Sequence, residues 1–187
     1  MEDLEDYSGR LRPNLDMRDF SKDALVRLWR ASGKLYVGLD GLWFNLIREK
    51  FGEQKARELS RENWQRETPL EVRRHREVMN IWGEDVESYL KYLQVDIGAG
   101  GIWPNFRCEM KGENHGILTI KRCLSLEYFE RHGDIALQKH ACEVLDGEGF
   151  QWAAHLFNPR MKAVSLKLPP RKHTGEIACQ WEFKIEA

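Results

Sequence analysis

Residues 21 to 52, SKDALVRLWRASGKLYVGLDGLWFNLIREKFG, restrict the fold more than any other stretch of the chain. Apolar side chains recur at Leu25, Leu28, Trp29, Leu35 or Tyr36, Leu39, Leu42 or Trp43, and Leu46 or Ile47, a stripe at the helical period of about 3.6 residues. Ser21 suits an N-cap and Gly52 a helix end. A helix of that length would run roughly 45 Å at about 1.5 Å per residue. Ser32, Gly33, Gly38 and Gly41 weaken it, each internal glycine costing about 1 kcal/mol against alanine. Packing must therefore hold the helix, and its small residues invite a neighbour to come close. The stripe's centre predicts a core position for Leu39, with a cost of about 2–5 kcal/mol for Leu39→Ala.

A chain of 187 residues, 42% apolar and 11% aromatic, suffices for one domain with its own core. The formal net charge of −1 gives no global attraction to nucleic acid or to an anionic membrane. No apolar run is long enough to span a bilayer, and MEDLEDYSGR lacks the apolar core of a secretory signal. These features predict a cytoplasmic protein. Its four cysteines then read as thiols or metal ligands rather than as a disulfide framework.

Residues 1–19 are acidic, are broken at Pro13-Asn14, and form a tail or docked arm. Residues 20–187 form a single domain, with a helical half at 20–100 and a sheet-containing half at 101–187. After the long helix, residues 53–67 predict a second helix and Thr68-Pro69-Leu70-Glu71 the start of a third, with Glu71 completing a capping box. A fourth follows from Asp85. Gly98-Ala99-Gly100-Gly101 reads as a flexible joint. Beyond Trp103 the period changes to two. Phe106, Cys108 and Met110 lead through a turn to Leu118 and Ile120, which is a hairpin. Helices are predicted at 125–132 and from a capping Asp146, then a strand with Val164, Leu166 and Leu168 on one face. In the last strand Ile177, Cys179, Trp181, Phe183 and Ile185 face one way. The fold class is α+β, a helical layer on a four-stranded antiparallel sheet.

Local spacing of chemically active residues is weak, with no C-x2-C pair and no G-x-S-x-G. Cys108 and Cys179 lie on apolar strand faces, where packing alone explains them. Cys123 follows Lys121 and Arg122, whose charges would lower a thiol pKa. His140 and Cys142 are the closest pair of soft ligands. Asp40 interrupts the apolar stripe beside Trp43, either hydrogen-bonded to a neighbour or, with Trp43, lining a pocket between helix and sheet. The basic runs at 73–76 and 160–172 read as solvated surfaces.

Asp40-Gly41-Leu42-Trp43-Phe44, Lys50-Phe51-Gly52 and Glu62-Asn63-Trp64 resemble a family of uncharacterised cytosolic bacterial and archaeal proteins. Arg122-Cys123, Cys142, Phe157-Asn158-Pro159-Arg160, Pro169-Pro170, His173 and Cys179-Gln180-Trp181-Glu182-Phe183 are similar to the same family. That family is distantly similar to L-2-amino-thiazoline-4-carboxylate hydrolase-like proteins and, more loosely, to vinyl-reductase-type small-molecule-binding domains. The resemblance implies thiolates at Cys123, Cys142 and Cys179. It places a fourth cysteine where this chain has Leu168, so His173, or alternatively His140, would supply the remaining ligand to zinc or an iron–sulfur cluster.

Three functions follow as expectations. The first is a small-molecule-binding domain with this cysteine/histidine metal site. The second is a thiol-dependent hydrolase of a small cyclic C–N substrate, with Cys142 or Cys123 as the catalytic nucleophile. The third is a non-catalytic sensor or interaction module that binds an apolar ligand. The partner is an unknown small molecule rather than a membrane or nucleic acid, and homo-oligomerisation stays open.

Overall fold

Two long helices lie side by side in the computed structural model, which describes residues 3–186. Helix α1 spans Lys22–Phe51 and α2 spans Glu53–Met79, joined by Gly52 at φ 88°. Ser21 caps α1 by accepting from the Ala24 amide. The arm folds back on this end, with Leu4 in a parallel bridge to Phe20. Helices α3 (Val86–Val95) and α4 (Ile97–Ile102) follow, then strands β1 (Asn105–Gly112) and β2 (His115–Arg122). Next come α5 (Leu124–His132), α6 (Ile135–Lys139), a π-helical turn at His140–Leu145 and α7 (Asp146–Phe157). Strands β3 (Met161–Lys167) and β4 (Cys179–Ile185) close the chain. The sheet is antiparallel throughout, in the order β1-β2-β4-β3, so the fold is α+β with four strands.

The core lies between the sheet and helices α3 and α7. Val86, Tyr89, Leu118, Ile120, Leu126, Met161 and Phe183 are its largest fully buried side chains. Asp85 caps α3 through the Ser88 amide, and the Tyr89 ring packs edge-on against Phe183 and Phe157. Trp181 and Phe183 are buried, as the alternation in the last strand predicts.

Five expectations need correction. The apolar stripe of α1 is two faces. Gly33 and Phe44 are its buried residues, whereas Leu35, Leu39 and Leu42 are 74%, 57% and 70% exposed. At about 100° per residue, Gly33, Val37, Asp40 and Phe44 share one side, and Leu28, Leu35, Leu39, Leu42 and Leu46 lie opposite. The inward face is the one with glycine, because α1 meets α4 backbone to backbone. A Cβ on Gly33 would stand 2.3 Å from the Ile97 carbonyl oxygen and 2.7 Å from the Gly101 nitrogen. The glycine cluster at 98–101 is thus a packed helix rather than a joint. Leu39→Ala should accordingly shift stability by less than about 0.5 kcal/mol, the range of surface substitutions, as read from urea midpoints.

The helix expected to start at Thr68 does not start there. Helix α2 runs through Pro69; the Thr68 hydroxyl donates to the Trp64 carbonyl at 2.7 Å, and Glu71 lies in mid-helix, where there is no N-terminus to cap. Asp146 caps nothing, because α6, the π turn and α7 form one unbroken path. In β3 the parity is reversed. Met161 is buried and Ala163 packs against the core, while Val164 and Leu166 face outward. Helix α7 fixes this register, because Gln151 donates to the Met161 carbonyl and accepts from the Ala163 amide.

Candidate functional site

Between the two long helices, α3–α4 and the path from Cys123 to Ala153 lies a cavity of about 580 Å³. Its wall is mostly apolar, with Phe44, Leu93, Trp103, Phe129 and Phe150 among the contributors. Polar groups concentrate at two poles. Such a pattern, an apolar body with a few placed polar groups, is that of a small-molecule site. An open groove of about 530 Å³ between α7 and β3 lies on the surface and gathers no comparable set.

One pole is acidic. Glu67, Glu71 and His75 stand four residues apart on α2, which puts them on one helix face. Asp96, 9% exposed, joins them from the junction of α3 and α4, where it caps α4 through the Ala99 amide at 2.6 Å. The Tyr92 hydroxyl donates to its other oxygen at 3.4 Å. Donor atoms of Glu71, His75 and Asp96 all lie within 4.8 Å of one another. Glu67 Oε2 and Glu71 Oε1 are buried without a donor. Burial, then the neighbouring Asp96 and Glu67 charges, pushes Glu71 far above the ordinary carboxylate range, and burial raises Glu67 and Asp96 as well. The Asp40 carboxyl also lines the cavity; burial raises its pKa, and the Trp64 side chain beside it acts in the opposite direction. Trp43, predicted to line the pocket with Asp40, is instead 57% exposed, because α1 turns its glycine face inward.

The other pole carries sulfur. Cys123, at the end of β2, and Cys142, in the π turn, line the cavity together with His140 and Asp146. Cys179, at the start of β4, is near enough that Asp146 and Cys123 raise its pKa after burial, which is the main cause. Cys142 responds to Asp146, Cys123 and Cys179 in the same way. The three thiols, from three elements, thus each feel the charge of one carboxyl, Asp146. Their sulfurs do not reach the mutual spacing of the acidic triad. Burial pushes Cys123 up to about 11, so the cations before it do not make it a thiolate. Asp146 is exposed, its surface opening on the cavity, and the crowding of protein around it lifts its carboxyl to about 7. His140 Nε2 is buried without a partner, and its pKa is lowered by burial. His173 stands apart on the loop between β3 and β4, its side chain 69% exposed beside Glu176. Cys108 packs against the core from β1, as its strand face predicts.

The acidic pole escapes a sequence reading that takes Glu71 for a capping residue and His75 for part of a basic run. The four-residue repeat of Glu67, Glu71 and His75 was the available signal. Asp96 had none, since only the fold brings it to α2.

Comparison with known proteins adds a family but no activity. A family model described as a family of unknown function (DUF6125) matches residues 18–185, and the chain belongs to that family. No curated protein and no solved structure matches significantly.

Proposed function

We propose that this member of the family is a small-molecule-binding protein whose ligand occupies the cavity between the acidic and thiol poles. The cavity itself carries the reading, since its volume falls within the usual range for ligand sites, about 300–1,000 Å³. A ligand suited to it has an apolar body with polar groups at its ends. Four free cysteines support a cytosolic setting, where thiols stay reduced. Nile red, a neutral probe, tests the cavity. It should bind saturably with enhanced fluorescence, and Gly149→Leu should weaken binding by at least about tenfold, or about 1.4 kcal/mol. Gly149 lines the cavity, and a Cβ there meets nothing within 4 Å, so a larger side chain starts in open space. Equal binding by the variant, with loss in Leu35→Ser, would move the dye to the outer face of α1 and refute the reading.

A second reading rests on the nearness of three thiols to Asp146. Cys123, Cys142 and Cys179, with Asp146 rather than His173, would supply a donor set suited to zinc once side-chain movement drew the sulfurs together and the thiols lost their protons. Bound zinc would supply charge to the cavity's end and tie β2, the π turn and β4 together. Metal content after purification without added zinc tests it, and Cys142→Ser should abolish any zinc found. The geometry gives less support to a hydrolase. Burial keeps Cys142 and Cys123 protonated, and no histidine hydrogen-bonds to either among the described residues, so neither is an activated nucleophile.

A further inference from the structure

We infer that Glu71, His75 and Asp96, with Glu67 beside them, form a binding site for one divalent transition-metal cation on the wall of the cavity. This site is independent of the ligand proposed for the cavity and of the thiol pole. Donor atoms of Glu71, His75 and Asp96 already lie within 4.8 Å of one another. Nitrogen and oxygen ligands stand about 2.0–2.2 Å from zinc, so small side-chain rotations would close the set around an ion.

Three observations separate this cluster from an ordinary group of acids. First, two of the oxygens lack donors. Glu67 Oε2 and Glu71 Oε1 are buried and unpartnered, and neighbouring carboxylates are held together by a shared proton, a water or a cation. Second, the histidine is oriented from behind. His75 Nδ1 lies 2.9 Å from the Glu71 carbonyl oxygen, so the neutral imidazole carries its proton on Nδ1 and leaves the Nε2 lone pair for a metal. Metal-bound imidazoles are usually held by this kind of second hydrogen bond. Third, the ligands are rigidly mounted. Glu71 and His75 lie one turn apart on α2, and Asp96 is fixed by the Ala99 amide and the Tyr92 hydroxyl. Two carboxylates and an imidazole suit zinc, manganese or iron(II) rather than a soft, thiol-seeking ion. Because Glu71 and Asp96 line the cavity, water or a ligand group could complete the coordination from that side.

Cobalt(II) chloride added to the chelator-treated full chain provides the test. The expected result is one equivalent bound, with visible d–d absorption and no thiolate charge-transfer band in the near ultraviolet. Glu71→Gln, His75→Ala and Asp96→Asn should each weaken uptake by tenfold or more, since even residues behind the ligands are worth about 10–100-fold. Cys142→Ser should leave uptake unchanged. Glu71→Gln keeps the side chain's shape and removes a buried acid, so it retains the fold, which circular dichroism verifies. The inference is overturned if the protein takes up no cobalt, or if uptake survives in Glu71→Gln/Asp96→Asn. A thiolate band that disappears with Cys142→Ser would also overturn it and assign the metal to the sulfur pole. None of these outcomes decides whether Nile red enters the cavity, so the two readings fail separately.

Discussion

Urea midpoints of the metal-free protein should fall as pH rises from about 5 to about 8, by about 1.4 kcal/mol per pH unit for each carboxyl that keeps its proton only in the native state. Two groups lead this slope, with Asp40, Glu67 and Asp96 raised in the same direction, and solvent screening reduces the share of Asp146 because that residue is exposed. Desolvation lifts Asp146 to about 7, and burial with the Asp96 and Glu67 charges raises Glu71 further. In the unfolded chain both ionise near pH 4. Above that value the native state binds more protons than the unfolded state, so stability decreases with pH. The contribution is complete below the unfolded pKa and is lost as pH passes the folded one, near 7 for Asp146 and later for Glu71. Surface acids with lowered values, such as Glu127 beside Arg122, are ionised in both states across this window and add no slope. His140, lowered by burial, opposes the trend near its unfolded value and should flatten the curve there. Glu71→Gln should remove one proton's share of the slope, and midpoints that do not change with pH would show that both carboxyls are solvated.

Gly33→Val should destabilise the protein by about 3 kcal/mol, the upper end of overpacking costs. The atoms a side chain would strike are backbone, the Ile97 carbonyl and the Gly101 nitrogen and Cα, and backbone cannot rotate out of the way. Helices α1 and α4 would have to separate, moving Asp96 with them. The same helix contains its own control. A Cβ at Gly38 or Gly41 meets nothing within 4 Å, so Gly38→Ala should stabilise by about 0.5–1 kcal/mol through helix propensity. Thermal unfolding of the two variants side by side should shift in opposite directions.

Local chemistry made part of this architecture legible. The alternation around Trp181 and Phe183, the helix from about Asp85 and the helix at 125–132 each depend on neighbouring residues, and each is present in the structure. The face of α1 that turns inward is not local, because glycine and leucine sides are both acceptable to an isolated helix. Close approach by α4 decides between them. Likewise Pro69 is a strong start signal for a free segment, yet a long helix can carry it when Thr68 engages the preceding turn. The polarity of β3 depends on Gln151 reaching its backbone, which no period within β3 records. At the site, Asp40, Cys123, Cys142 and His140 were recognisable as candidates and do line the cavity. Asp96 and Asp146 were not, since each acquires its environment from residues distant in sequence.

The wide turn at His140–Leu145 separates two requirements that an ordinary helix would couple. The Asp146 amide donates to the Ala141 carbonyl, five residues back, so one extra residue is stored in the coil. Glu143 and Val144 are exposed there. Losing one of them would tighten the coil to a regular α-helix while α6 and α7 kept their packing, much as a slack loop is taken up without moving its ends. The cost would fall on Cys142 and His140, whose directions into the cavity depend on that slack. Chain length at this point therefore adjusts the chemistry of the wall almost independently of the fold that supports it.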